Sequence, residues 1–164
     1  MRAFRFLLLF VLALGLAACG NSKFKTYRGP EVTQVQVHKG ARKMYLLHDD
    51  KVLKEYDMAL GFAPVGHKEF EGDGKTPEGV YYVNYKNPNS EYHLSLKISY
   101  PNPQDRAYAS SMGKSPGGDI FIHGGPKKKI YQRDWTAGCV AVSDKEIERI
   151  YAMVKEGTPV YIFP

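Results

Sequence analysis

From Val35 onward the chain is cut into short runs of β-branched and aromatic residues by turn-forming residues, and this rhythm limits the possible folds more than any other feature. Val35 and Val37 alternate with polar residues, and the runs 44–47 and 52–56 flank Asp49-Asp50, a pair suited to a turn, which predicts a hairpin. The runs 79–86, 92–100, 119–123, 139–142 and 160–163 are further strand candidates. Gly72-Asp73-Gly74-Lys75-Thr76-Pro77-Glu78-Gly79 reads as a long turn, and Pro116-Gly117-Gly118 breaks the chain just before the run that ends in His123. One helix is well specified: Ser143 can cap it, Glu146 three residues on completes a capping box, and Ile147, Ile150, Tyr151 and Val154 share one face. Gly157 is expected to close it. A shorter helix over 104–111 follows Pro103. The pattern predicts a mainly β fold, a curved sheet, small barrel or sandwich with one or two peripheral helices.

A chain of 164 residues, 43% of them hydrophobic, can bury one core and is too short for two. Its first residues have a different job. Arg2 and Arg5 precede an apolar run over 6–16, the length of an export signal's hydrophobic region and short of a membrane-spanning helix. The run ends Leu16-Ala17-Ala18-Cys19-Gly20, which resembles the lipobox of bacterial lipoproteins. The resemblance implies removal of 1–18, lipidation of Cys19, a polar and basic tether over 19–30, and a folded domain over 31–164. An ordinary secretory signal cut after the small residues would leave Cys19 incidental. Gly20, where an Asp would favour retention at the inner membrane, implies a periplasmic protein anchored in the outer membrane by its lipid.

With Cys19 acylated, the mature protein has one thiol, Cys139, and no internal disulfide is possible. An odd thiol in an oxidising compartment is either a buried small hydrophobe or a nucleophile. The formal net charge of +6 falls to +4 once Arg2 and Arg5 leave. The single basic cluster, Lys127-Lys128-Lys129, has no interleaved aromatic platform, so nucleic acid is not an expected partner. It reads as a solvated loop, or as attraction to an anionic polymer or lipid surface. No pair of histidines has the close spacing of a zinc site and Cys139 has no cysteine partner, so neither a metal nor another cofactor is expected.

Phe121-Ile122-His123-Gly124-Gly125 puts a histidine at the end of a strand candidate, beside glycines that allow a sharp turn. Cys139 follows in Thr136-Ala137-Gly138-Cys139-Val140. An ordinary thiol is only slightly ionised at neutral pH, so a nucleophilic Cys139 needs a base, and His123 is the candidate. Gly138 allows a carbonyl to approach the backbone, where the Cys139 amide could bind an oxyanion. Core packing of both side chains is the alternative on these residues alone.

The same two segments, in this order, resemble the active-site signature of the L,D-transpeptidase (YkuD-type) catalytic domain family. Gly72-Asp73, Thr76-Pro77-Glu78-Gly79 and Ser99-Tyr100-Pro101-Asn102 extend the likeness to its shorter, YafK-like members, over roughly 33–164. The resemblance implies that Cys139 attacks the bond after meso-diaminopimelate in a peptidoglycan stem peptide, forming a thioester. It implies that His123 is the base, that the Gly124 carbonyl orients the imidazole, and that the Gly138 and Cys139 amides form the oxyanion hole. An amine resolving the thioester gives a transpeptidase. Water gives an amidase that cuts cross-links or the link between peptidoglycan and an outer-membrane lipoprotein. A non-catalytic wall-binding lipoprotein is the third reading, against which the pairing of His123 with Cys139 speaks.

Ala137 and Ala141 stand where many family members carry histidine and arginine, which removes the usual substrate-carboxylate contact. Arg106 is a candidate replacement. Trp135, Tyr131 and Thr136 are candidates for the wall of a substrate groove, with simple packing the other role for Trp135. The loop 125–135 is expected to act as a mobile wall or lid. His67 is expected in a polar turn, and His38, His48 and His93 at the surface or in strands.

Overall fold

The computed structural model describes residues 22–125 and 133–164. The leader, Cys19, Lys127-Lys128-Lys129, Tyr131 and most of the expected lid loop lie outside the described residues. Among the described residues are eight strands and two helices: β1 (Gln34–His38), β2 (Lys43–His48), β3 (Lys51–Asp57), β4 (Gly79–Asn87), β5 (Ser95–Ile98), α1 (Pro103–Ser111), β6 (Phe121–His123), β7 (Val140–Ala141), α2 (Asp144–Met153) and β8 (Pro159–Phe163). No helix among them is long and apolar enough to cross a membrane.

The alternation at Val35 and Val37 puts both valines inside, with Gln34, Gln36 and His38 on the other face. Leu46, Tyr81, Val83, Leu96, Ile122, Val140, Val160 and Ile162 point the same way, so one face of the whole sheet is apolar. Ile147, Ile150 and Met153 of α2 cover it. The strands run in the order β3-β2-β1-β8-β4-β5-β6-β7. β4 pairs with β8 through Gly79–Tyr82 and with β5 through Val83–Asn87, and the register slips between Val83 and Tyr85. Such a bulge bends a sheet, and this one curls. The chain leaving β3 then returns to the opposite edge: Ala59 bridges Ala141, and Gly61 bridges Thr136. The mainly β expectation is met by a half-barrel whose two edges are tied together.

Several strands are shorter than the sequence predicts. The run 92–100 is strand only over Ser95–Ile98, and 119–123 only over Phe121–His123. His93 at φ 72° and Asp119 at φ 56° are the cause, because a left-handed residue cannot continue a ladder. The hairpin forms as expected, with Asp49 at φ 53° in its turn.

α1 starts one residue earlier than expected, because Asn102 accepts from the Asp105 N–H and Asp105 reaches back to the Asn102 N–H. Ser143 and Glu146 make the expected box at α2. Gly157 does not close α2. The helix ends at Met153, with Val154 extended, because the Lys86 ammonium on β4 takes the terminal carbonyls of Tyr151 and Val154 at 2.5 and 2.8 Å.

Candidate active site

β6 and β7 are parallel neighbours, with Ile122 opposite Val140 and His123 opposite Ala141. The register therefore brings the residue before β7, Cys139, level with Phe121. The Phe121 N–H points at the Cys139 sulfur at 3.4 Å, and the thiol can donate to the Asp119 carbonyl at 3.6 Å. Cys139 and His123 line one cavity of about 290 Å³, with Tyr92, Ser95, Glu91 and Phe121 among its other walls.

His123 is 3% exposed, and its Nδ1 is hydrogen-bonded to the Gly124 carbonyl. A carbonyl only accepts, so Nδ1 carries the hydrogen and Nε2 is left with the lone pair a base needs. The ring clusters with Tyr92, at a centroid distance of 4.4 Å, and Trp135, edge-on at 5.8 Å, which also meet each other at 6.0 Å. Gly124 has no room for a side chain: a Cβ there would lie 2.6 Å from Asp144 Oδ1 and 2.8 Å from the Tyr92 carbonyl. Burial lowers the His123 pKa below its ordinary value, a shift the Gly124 hydrogen bond partly offsets. Burial raises the Cys139 thiol, against a smaller opposing effect of the Phe121 N–H.

Thr136 is buried beneath the loop. Its hydroxyl donates to the Cys139 carbonyl at 2.7 Å and accepts from the Gly138 N–H at 3.2 Å. Of the two amides expected to form the oxyanion hole, that of Gly138 donates to Thr136 Oγ1 in this structure. Thr136 itself ties the loop that carries Cys139 and is absent from the cavity wall. Gly138 is still required at its position: its φ is 135°, and a Cβ would come within 2.6 Å of the Lys75 carbonyl.

Trp135 packs edge-on against His123 and is not among the residues that line the cavity. Arg106 is not brought to Cys139: it is exposed on α1, and the cavity is lined without it. His67 does more than occupy a turn. Its Nδ1 accepts from the Glu78 N–H at 3.0 Å and its Nε2 reaches Asp105 Oδ1 at 3.1 Å, tying the long turn to α1. His93 meets Glu148, His48 meets the Glu31 carbonyl, and His38 stacks near Phe163. Tyr92 and the Asp119 carbonyl were not singled out from the sequence. An aromatic residue beside a strand was the one available signal for Tyr92, and a main-chain carbonyl has none.

The curled sheet with outer helices is the fold of solved L,D-transpeptidases. An example is that of Xylanimonas cellulosilytica, 16% identical, with a TM-score of 0.55 over 84% of this chain and 63% of the other. The L,D-transpeptidase catalytic domain (YkuD) model matches residues 33–162, and the chain belongs to that family. YafK of Escherichia coli (strain K12), whose name as an L,D-transpeptidase is itself provisional, is 30% identical over 106 residues, 63% of this chain and 38% of YafK. The helical cell shape determining protein Pgp2 of Campylobacter jejuni is 27% identical, with a TM-score of 0.62 over 90% of this chain and 53% of Pgp2. The chain thus spans well under half the length of the curated relative and about half that of Pgp2.

Proposed function

We propose that this chain is an exported, lipid-anchored cysteine L,D-transpeptidase acting on peptidoglycan stem peptides. The observation that carries the reading is the shared cavity of Cys139 and His123, with His123 Nδ1 fixed by the Gly124 carbonyl. Nε2 takes the thiol proton as sulfur attacks the carbonyl after meso-diaminopimelate. The Cys139 amide receives the developing oxyanion. Collapse breaks the C–N bond, the imidazolium returns its proton to the departing amine, and a thioester remains. An incoming amine, deprotonated by His123, then forms the new peptide bond and restores the thiol. The family's activity on stem peptides and the cell-shape role in the name of Pgp2 support a place in wall remodelling.

Mass spectrometry of muropeptides tests this, after incubation with the protein and with Cys139→Ala. New 3–3 cross-links or exchanged terminal D-amino acids that vanish in the variant are the expected result. Cysteine-dependent loss of cross-links or of lipoprotein-linked peptides would instead make water the acceptor. Equal products from both proteins would remove Cys139 from the chemistry.

A further inference from the structure

The segment 133–139 carries Trp135, Thr136, Gly138 and Cys139, and its order comes from a pair outside the cavity. Asp134 Oδ1 accepts from Arg42 Nε at 2.8 Å, and Oδ2 accepts from Arg42 Nη2 at 2.7 Å. This is a two-pronged contact between a planar guanidinium and a planar carboxylate, and it fixes orientation as well as distance. The Leu60 N–H adds a third bond to Asp134 Oδ1 at 3.2 Å. The side chains of Arg42 and Asp134 are only 19% and 11% exposed.

Both ends of the pair are themselves held. Arg42, in the turn between β1 and β2, donates through Nη1 to the Lys39 carbonyl and accepts the Met58 N–H at 3.1 Å on its own carbonyl. Arg42 and Asp134 both have φ of 55°, an arrangement that non-glycine residues keep only when their surroundings enforce it. On the other side, Trp135 follows Asp134 directly and stands edge-on to His123, and Thr136 is next. The Thr136 amide donates to the Leu60 carbonyl at 3.0 Å and its hydroxyl holds Cys139 and Gly138.

We infer that Arg42 and Asp134 form the positioning device of the reaction centre. The fork sets Trp135 against His123 and, through Thr136, sets the aim of the Cys139 thiol and amide. The turn between β1 and β2 thereby becomes part of the catalytic apparatus without touching substrate. A charge alone does not suffice, because a lysine ammonium cannot reproduce two parallel bonds to Asp134. The inference rests on the proposed role of Cys139 only for its effect on turnover.

The test uses two readouts that need no substrate. One is the rate and pH profile of Cys139 alkylation by iodoacetamide, and the other is acrylamide quenching of Trp135, the chain's single tryptophan. Arg42→Lys and Asp134→Asn are compared with Ile150→Val, a core change in α2 chosen for a similar fall in melting temperature. The expected result is that both pair variants shift the alkylation profile and increase Trp135 quenching, and that the double variant does no more than either single one. Ile150→Val should do neither. On muropeptides the pair variants should lose on the order of tenfold or more in kcat with little change in KM. If Arg42→Lys and Ile150→Val behave alike in alkylation and quenching, the pair only stabilises the fold and the inference fails. If alkylation and quenching shift as expected while muropeptide turnover does not depend on Cys139, the positioning stands and the proposed reaction falls.

Discussion

Burial acts on Cys139 and His123 in opposite chemical directions, raising the thiol and lowering the imidazolium, so each is held in its uncharged form at neutral pH. The resting site is then a thiol beside a neutral imidazole, and in the proposed mechanism the proton moves only as sulfur attacks. Iodoacetamide, which reads the thiolate, should therefore react with an inflection above the ordinary thiol value of about 8.5. An inflection below neutrality would mean a preformed thiolate–imidazolium pair and would overturn this account. Gly138 gives a second prediction at this scale. Gly138→Ala places a methyl group against the Lys75 carbonyl at a φ of 135°, a strain of about 1–3 kcal/mol. The alkylation rate should fall far more than the melting temperature. Cys139, His123 and Gly124 were legible in the sequence because their residue types and order carry the signal. The bond from the Gly138 amide to Thr136 Oγ1 was not legible, because no sequence pattern fixes the direction of that hydroxyl.

Between β3 and β4 the chain makes a long loop; Met58 and Leu60 anchor its start in the core, and charged side chains hold the rest. Lys39, 2% exposed, donates to the Gly66 and Thr76 carbonyls and to Glu78 at 2.6, 2.9 and 2.7 Å. Lys68 bridges the Phe70 carbonyl and Asp73. Burial alone would raise the Asp73 pKa, but Lys68 and the N–H groups of Phe70, Lys75 and Glu69 outweigh it and bring the carboxyl down to about 2. A depressed folded-state pKa contributes stability that is complete above the unfolded value, near 4, and is lost as pH falls from about 4 to about 2. The contribution is on the order of 1–2 kcal/mol after allowance for solvent screening. Chemical denaturation at pH 7 and pH 2.5 should show this loss in the native protein, and Asp73→Asn should be less stable at pH 7 with a flatter acid limb. A variant with an unchanged acid limb would remove Asp73 from the loop's support. In the sequence, Gly72-Asp73-Gly74 announced a turn but could not announce its partners, because Lys39 and Lys68 lie outside the motif and resemble surface lysines until the fold buries them. The helix expected over 104–111 carries a second role for a related reason: Asn102 and Asp105 cap it, and Asp105 is also the anchor that meets His67 and Tyr81.

At the level of the whole molecule, the hairpin β2–β3 and the helix α2 were readable because their contacts are local in sequence. The insertion of β8 between β1 and β4 was not, since it is specified only by which apolar faces fit once the sheet curls. The expected tether shows the same limit. Residues 22–30 lie against the domain: Lys23 donates to the Pro88 and His93 carbonyls at 2.7 and 3.1 Å, Lys25 meets Glu148 at 3.3 Å, and Tyr27 packs on the core. Just beyond, Glu31 pairs with Lys155 at 2.7 Å. Exposed pairs of this kind contribute roughly 0–1 kcal/mol each, so the packed tyrosine and the two carbonyl contacts of Lys23 should dominate. Removing residues up to Pro30 should therefore leave the sheet intact and cost about 1–2 kcal/mol, a fall of a few degrees in melting temperature for a domain of this size. Differential scanning calorimetry of 22–164 against 31–164 reads the difference, and Tyr27→Ala in the longer protein should reproduce most of it. Equal melting temperatures would return the segment to the role of a plain spacer. A fall accompanied by slower Cys139 alkylation would mean that residues 22–30 also support the cavity through the 88–93 turn, whose ends Lys23 holds and which carries Tyr92 against His123.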